Sequence, residues 1–300
     1  MLLRTRLIPA LLAVLWLAGC EAGTRPIPGV DAAAGADAGR DAAPDRPDTG
    51  PLPDAGPPLD DVLIYAHSAD TLYTFSAFTN TVTEVGVFTE AGSGAEAPFM
   101  LDLAVDADGN LFTSSRDRLW RVDAETAEVT EVGDFGLGDE QLFALSFITA
   151  SEAPAGEPIL IGATNEGRYF EVDRETAATS FLGEYPEGWF SSGDIVSVDE
   201  LGTFATLRRD DFSSDVLARI LFSSDGSSTV TVIGPVRNAS EDFTQIFGLG
   251  YWGRDMYGFS NSGQLIRIDR DTGQAEVVST ETGTEQFWGA GVTTQVPVLI

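Results

Sequence analysis

The chain has 300 residues, with 17 arginines, no lysine, 47 acidic residues and a formal net charge of −30. Such an excess of carboxylates excludes a nucleic-acid surface, which needs a basic footprint, and argues against docking on anionic lipid headgroups. It permits cationic ligands or divalent ions, and in its plainest reading it keeps domains apart in solution. A single cysteine, Cys20, and a single histidine, His67, exclude an internal disulfide, Ser-His-Asp or Cys-His catalysis, and multi-histidine zinc or copper centres.

The first 19 residues read as an export signal. Arg4 and Arg6 precede an apolar run, Leu7 to Leu17, broken only by Pro9. At about 11 residues it is too short for the roughly 20 that span a bilayer. Leu17-Ala18-Gly19-Cys20 follows, and this segment resembles the lipobox of bacterial lipoproteins. The resemblance implies cleavage before Cys20, a covalent lipid on its sulfur, a membrane partner through that lipid, and an extracytoplasmic location in the cell envelope. Buried acyl chains contribute about 0.8 kcal/mol per CH₂, so two or three of them anchor a protein almost permanently.

Residues 20–60 change character. From 21 to 60, thirty of 40 residues are Ala, Pro, Gly or Asp and none is aromatic. Such a segment cannot bury enough apolar surface to offset its ordering entropy, so the expectation is a disordered linker, stiffened by proline and extended by repelling aspartates. The rest, residues 61–300, carries 39 acids and 12 arginines, a net of −27.

That domain repeats. Leu119-Trp120-Arg121-Val122-Asp123-Ala124-Glu125-Thr126-Ala127 matches Tyr169-Phe170-Glu171-Val172-Asp173-Arg174-Glu175-Thr176-Ala177 and Leu265-Ile266-Arg267-Ile268-Asp269-Arg270-Asp271-Thr272-Gly273. Weaker copies lie at Leu72 to Phe75 and Leu217 to Ile220. Taking Phe75, Val122, Val172, Ile220 and Ile268 as equivalent, the spacings are 47, 50, 48 and 48 residues, the length of four strands with their turns. In each copy, alternation predicts a strand, and the D-x-(E/D)-T-(A/G) segment predicts a tight hairpin: the aspartate accepts from nearby amides and Gly273 or Asn80 adopts positive φ.

A second strand type, rich in small residues, precedes these hairpins: Phe99 to Val105, Leu142 to Ile148, Trp189 to Val196, Ile246 to Trp252 and Phe287 to Val292. Small residues suit the innermost strand of a ring of sheets. The first hairpin lacks such a strand before it and the last such strand lacks a hairpin after it, so the two ends are expected to join. The fold class is therefore all-β, a five-bladed β-propeller closed by N- and C-terminal strands. The pattern L-(Y/W/I)-x-(V/I/F)-D-x-x-T-(A/G) resembles repeats of bacterial propellers in the YVTN, NHL and quinoprotein-like superfamily. The resemblance implies a fold and not an activity, since propellers host many functions.

Several residues are candidates for chemistry. Asp102 and Asp194 lie on two predicted inner strands, where the other three carry Ala144, Gly248 and Gly289, and two carboxylates are the minimum for glycoside hydrolysis. Trp189, Trp252 and Trp288 lie in or beside inner strands and are candidates to stack on a sugar or cation, packing between blades being the alternative. Asp106-Ala107-Asp108-Gly109-Asn110 resembles part of a calcium loop, but its glycine is displaced and Asp-Gly also makes a simple strand-to-strand turn. His67 is expected in a loop after the first strand. The sequence reading is a tethered, non-catalytic module binding a protein or glycan at one end of the channel. A carbohydrate-active hydrolase and a structural envelope protein are the alternatives.

Overall fold

A computed structural model describes residues 62–299; the expectations for the signal segment, Cys20 and the linker fall outside that range. Between 62 and 299 there are strands and no helix, and the strands form five sheets.

The repeated hairpin supplies the outer half of every sheet. In one copy β7 (Arg118–Val122) turns into β8 (Glu128–Asp134), and in the next β11 (Arg168–Val172) turns into β12 (Thr179–Glu184). Asp123 Oδ1 accepts the amides of Glu125 at 2.9 Å and Thr126 at 3.0 Å, and Asp173 Oδ1 repeats this with Glu175 and Thr176. These amide donors hold both carboxyls below the ordinary range. Ala127 and Ala177 close the turns at φ +59° and +62°, where Gly273 of the last copy has +75°. The other three hairpins join β2 (Thr71–Ser76) to β3 (Thr81–Val87), β15 (Val216–Phe222) to β16 (Ser228–Pro235), and β19 (Leu265–Asp269) to β20 (Ala275–Ser279).

Two further strands complete each sheet. The innermost are β5 (Met100–Val105), β9 (Ala144–Ile148), β13 (Phe190–Val198), β17 (Ile246–Trp252) and β21 (Gly289–Gly291). The second layer is β6 (Leu111–Ser115), β10 (Ile159–Ala163), β14 (Gly202–Arg208), β18 (Asp255–Ser260) and β1 (Ile64–His67). Burial follows position: β5 and β9 are buried at every residue, whereas β3 and β8 face solvent. The short β4 (Thr89–Glu90), which the sequence does not announce, adds in parallel to the outer edge of β8 and covers part of it.

The ring closes as the sequence implies. β21 pairs antiparallel with β1 in the register Tyr65↔Gly291, Ala66↔Ala290, His67↔Gly289, giving the first blade the order β21-β1-β2-β3. Three residue pairs make a short seam, and aromatic packing reinforces it. Phe75 of this blade packs on Tyr257 and Phe259 of the last one, with ring centres 5.0 and 6.1 Å apart, and Phe259 lies 5.2 Å from Phe287. Burying each such ring contributes roughly 1.5–3 kcal/mol. One expectation is overturned here. His67 is not a loop residue but the last residue of β1, fully buried, because β21 pairs along β1 to its end and covers it.

A second repeat locks neighbouring blades. Gly86, Gly133, Gly183 and Gly234 occupy equivalent places in β3, β8, β12 and β16, each directly after an extra, bulged residue of its own strand, and the next blade's hairpin turn packs onto each of them. A Cβ on Gly133 would lie 2.5 Å from the Thr176 carbonyl, and on Gly234 it would meet the Thr272 carbonyl. In β20 the equivalent residue is Ser279.

Candidate functional site

The five inner strands run in the same direction, so their first residues converge at one mouth of the channel and their last residues at the other. At the first mouth three of them are bulged. β5 has Leu101 as an extra residue between Met100↔Ser115 and Asp102↔Ser114, and β17 has Phe247 between Ile246↔Ser260 and Gly248↔Phe259. In β13 the irregularity is larger: Ser191 pairs with Leu207 but the next pair is Ile195 with Ala205, leaving Ser192 to Asp194 out of register. Bulges re-aim side chains, and they cluster beside functional sites.

Their effect here is a ring of apolar side chains with one opening. At equivalent positions the inner strands, or the residues just ahead of them, present Leu101, Phe143, Phe247 and Trp288, and in the fourth blade Gly193. A side chain cannot replace Gly193, because a Cβ there would meet the Ile246 carbonyl and the Phe247 Cα. All five residues line a cavity of about 750 Å³ at this mouth, within the range of about 300–1,000 Å³ typical of small-molecule sites.

One wall of the cavity is polar. It comes from the end of β14, Arg208, and from the loop 209–215 that follows. The Arg208 guanidinium lies 5.5 Å from the centre of the Phe190 ring. Arg209 is held by Asp211 through two hydrogen bonds, 2.5 and 2.6 Å, and lies 4.4 Å over the Trp189 ring. Ser214 and Asp215 are buried behind them. Asp215 Oδ2 accepts the Ile246 amide at 2.9 Å, and burial pushes its carboxyl up to about 6 despite that bond, a hydrogen bond from Ser192 and the nearby Arg208 charge. Ser214 Oγ is buried without a hydrogen-bond partner.

Below the cavity, in the axis itself, lie the two predicted carboxylates. Each stitches its blade to the next. Asp102 Oδ2 accepts the Leu145 amide at 2.6 Å, and Asp194 Oδ2 accepts the Leu249 amide at 2.6 Å while its Oδ1 takes the Ile195 amide at 2.6 Å. Both residues have no exposed surface. Burial raises both carboxyls well above the ordinary range, and the Asp194 charge raises Asp102 further. Of the two, Asp102 is pushed further toward its protonated form, because it faces that charge while the Leu249, Ile195 and Ala290 amides favour the Asp194 carboxylate. The two carboxyls are within hydrogen-bonding reach of each other. Glycosidases instead hold their acids about 5–9.5 Å apart with the sugar between them.

His67 joins this pair. Its Nδ1 hydrogen bonds to the Ser68 carbonyl at 2.6 Å; since a carbonyl only accepts, Nδ1 carries the proton and Nε2 is a bare acceptor. Nε2 has no partner, and burial lowers the imidazole to about 4.

The other candidates are dispersed. Trp288 lines the mouth cavity. Trp189 lies just ahead of β13, buried between Arg209 and Phe212. Trp252 ends β17 at the opposite mouth, so the three tryptophans do not form one stacking surface. Asp106 and Asp108 lie in the β5–β6 turn at that opposite end. The Asp106 carboxylate accepts from the Asp108 and Asn110 amides, the Asn110 side chain and Arg174 at 2.8–3.1 Å. Gly109 has φ +85°. This is the geometry of a strand-to-strand turn. Among the described residues no group of three or more His, Cys, Asp or Glu is arranged to hold a metal ion. The sequence reading missed Arg208, Ser214 and Asp215. A signal was present in Arg208-Arg209, two adjacent cations among only 12 in the domain.

Strand order and closure define the class: a five-bladed β-propeller, here with a ligand-sized recess at one mouth. No family model and no curated protein matches the chain. Among solved structures it is similar to a protein of unknown function from Bacteroides caccae, with 12% identity over 77% of this chain and 98% of that one and a TM-score of 0.41. It is similar also to BamB from Moraxella catarrhalis (14%, 73% and 70%, TM-score 0.34) and to glutaminyl cyclase from Myxococcus xanthus (20%, 65% and 70%, TM-score 0.38). At such identities the likeness concerns the fold alone.

Proposed function

We propose that this chain is a lipid-anchored binding module of the bacterial cell envelope, which carries its propeller outside the cytoplasm and takes a ligand in the mouth cavity without chemistry of its own. The observation that carries this reading is the cavity: about 750 Å³, an apolar ring from four blades, an opening at Gly193 and a polar wall. Large apolar recesses with a few convergent polar groups are the usual form of a binding site. The hydrolase reading needs Asp102 and Asp194 at a substrate, and a sugar reaches neither carboxyl unless the inner strands move apart.

The anchor is tested by labelling growing cells with an alkyne fatty acid; label on the wild-type chain that is absent from Cys20→Ser supports it. Binding is tested with a glycan array and a thermal-shift panel of peptides and metabolites on the purified chain. A hit weakened by Trp288→Leu and indifferent to Trp252→Leu supports the reading. Release of reducing ends that disappears in Asp102→Asn overturns it in favour of a hydrolase. Calcium binding is tested by melting with and without chelator, where an unchanged midpoint removes the ion.

A further inference from the structure

Resting on the mouth cavity as a binding site, we propose that its ligand is an amphipathic monoanion, with a carboxylate held by Arg208 and an apolar or aromatic body lying against Phe143, Phe247 and Trp288.

The domain carries a net charge of −27, so its overall field attracts cations and repels anions. Arginine at the cavity therefore has to act locally. Of the two arginines in the wall, Arg209 is committed to Asp211 and to the Trp189 ring. Arg208 is not. Among the described residues no carboxylate lies within ion-pair distance of its guanidinium and no hydrogen bond uses its five N–H groups; its contact is the face of Phe190. An exposed planar fork lying over an aromatic ring, with its donors unpaired in the protein, matches a carboxylate.

The second donor is Ser214. It lines the cavity at 4% exposure, and its hydroxyl has no partner. An unmatched buried hydroxyl is unfavourable, and a ligand acceptor would supply its missing partner. The two cavity acids do not compete for that role. Asp215 is turned to the Ile246 amide, and Asp210 is exposed on the rim. The rest of the lining sets the apolar surface of Phe143, Phe247 and Trp288 beside polar groups at Asn165, Thr244 and Gln245, and the one opening in the apolar ring lies in the blade that carries Arg208.

Three probes of one shape separate the possibilities: 4-phenylbutyrate, 4-phenylbutan-1-ol and 4-phenylbutylamine, titrated calorimetrically into the full chain at low ionic strength. The proposal expects the carboxylate to bind about tenfold more tightly than the alcohol or the amine, against the overall field. Arg208→Gln should reduce it to the level of the alcohol, Arg208→Lys should restore part of the difference, and Trp288→Leu should weaken whichever probes bind; circular dichroism melts confirm that each variant is folded. Preference for the amine, equal affinity for all three, or no binding of the carboxylate overturns the anionic class. In the first two cases, loss of binding in Trp288→Leu leaves the cavity standing as a site. Carboxylate binding indifferent to both Arg208 and Trp288 overturns the class and the site together.

Discussion

His67 Nε2 and Asp102 Oδ1 converge on the point that a side chain at position 289 would occupy. A Cβ on Gly289 would lie 2.5 Å from Nε2 and would meet Oδ1, and neither atom has another partner. A proton on Asp102 Oδ1 would give these two acceptors the donor they lack, and burial together with the Asp194 charge favours that proton. The seam of the ring and its buried acid pair are thus one construction, joining β1, β5 and β21.

This arrangement predicts opposite outcomes for two conservative substitutions. In Asp102→Asn the amide oxygen keeps the Leu145 bond and the NH₂ takes the place of Oδ1, where His67 Nε2 and Asp194 offer acceptors; stability at pH 7 should change by less than about 1 kcal/mol or rise. In Asp194→Asn one of the two amide donors, Leu249 or Ile195, faces an NH₂, and the cost should be about 1–3 kcal/mol. Urea denaturation of both variants decides it; equal losses would contradict the assignment of the proton to Asp102.

Asp215 and His67 predict opposing pH trends. The folded state holds the Asp215 proton more tightly than the unfolded chain does, so that contribution is full below about pH 4 and is lost as pH rises through about 6. His67 is lowered to about 4, so its contribution is full above about pH 6.5 and is lost as pH falls through about 4. The difference between Asp215→Asn and wild type isolates the first. Measured by urea denaturation, the variant should gain on wild type by up to about 3 kcal/mol between pH 4 and 7, and parallel curves would contradict it.

The glycine locks between blades are tested at Gly133 and Ser279. Gly133→Ala drives a methyl onto the Thr176 carbonyl and should cost about 1–3 kcal/mol, read as a lower melting temperature with unchanged secondary structure. Ser279→Gly, at the equivalent position that already tolerates a side chain, should change stability by no more than about 1 kcal/mol.

Much of the architecture is legible in the residues, and the reason is local. The hairpin Asp123-x-Glu125-Thr126 encodes its own turn, because the aspartate and the amides it binds are sequence neighbours, and alternation marks the strand on either side. Equivalence of Phe75, Val122, Val172, Ile220 and Ile268 holds in the third strand of all five blades. What the residues hide depends on partners far along the chain. His67 looks like a loop residue until Gly289 pairs with it, and Gly133 looks like an ordinary strand ending until the Thr176 carbonyl is placed against it. The mouth cavity depends on bulges at Leu101, Ser192 to Asp194 and Phe247, and a bulge exists only relative to the opposing strand. Asp102 and Asp194 were found because acids on inner strands are conspicuous; their protonation and their role between blades were not legible.

The central claim is that ligand enters the mouth where the inner strands begin. Hydrogen–deuterium exchange with saturating 4-phenylbutyrate tests it directly. The account predicts slowed exchange in 190–193, 208–215 and 244–247, with no change in 106–110, 171–174 and 294–295 at the opposite mouth. Protection confined to the second set would contradict it.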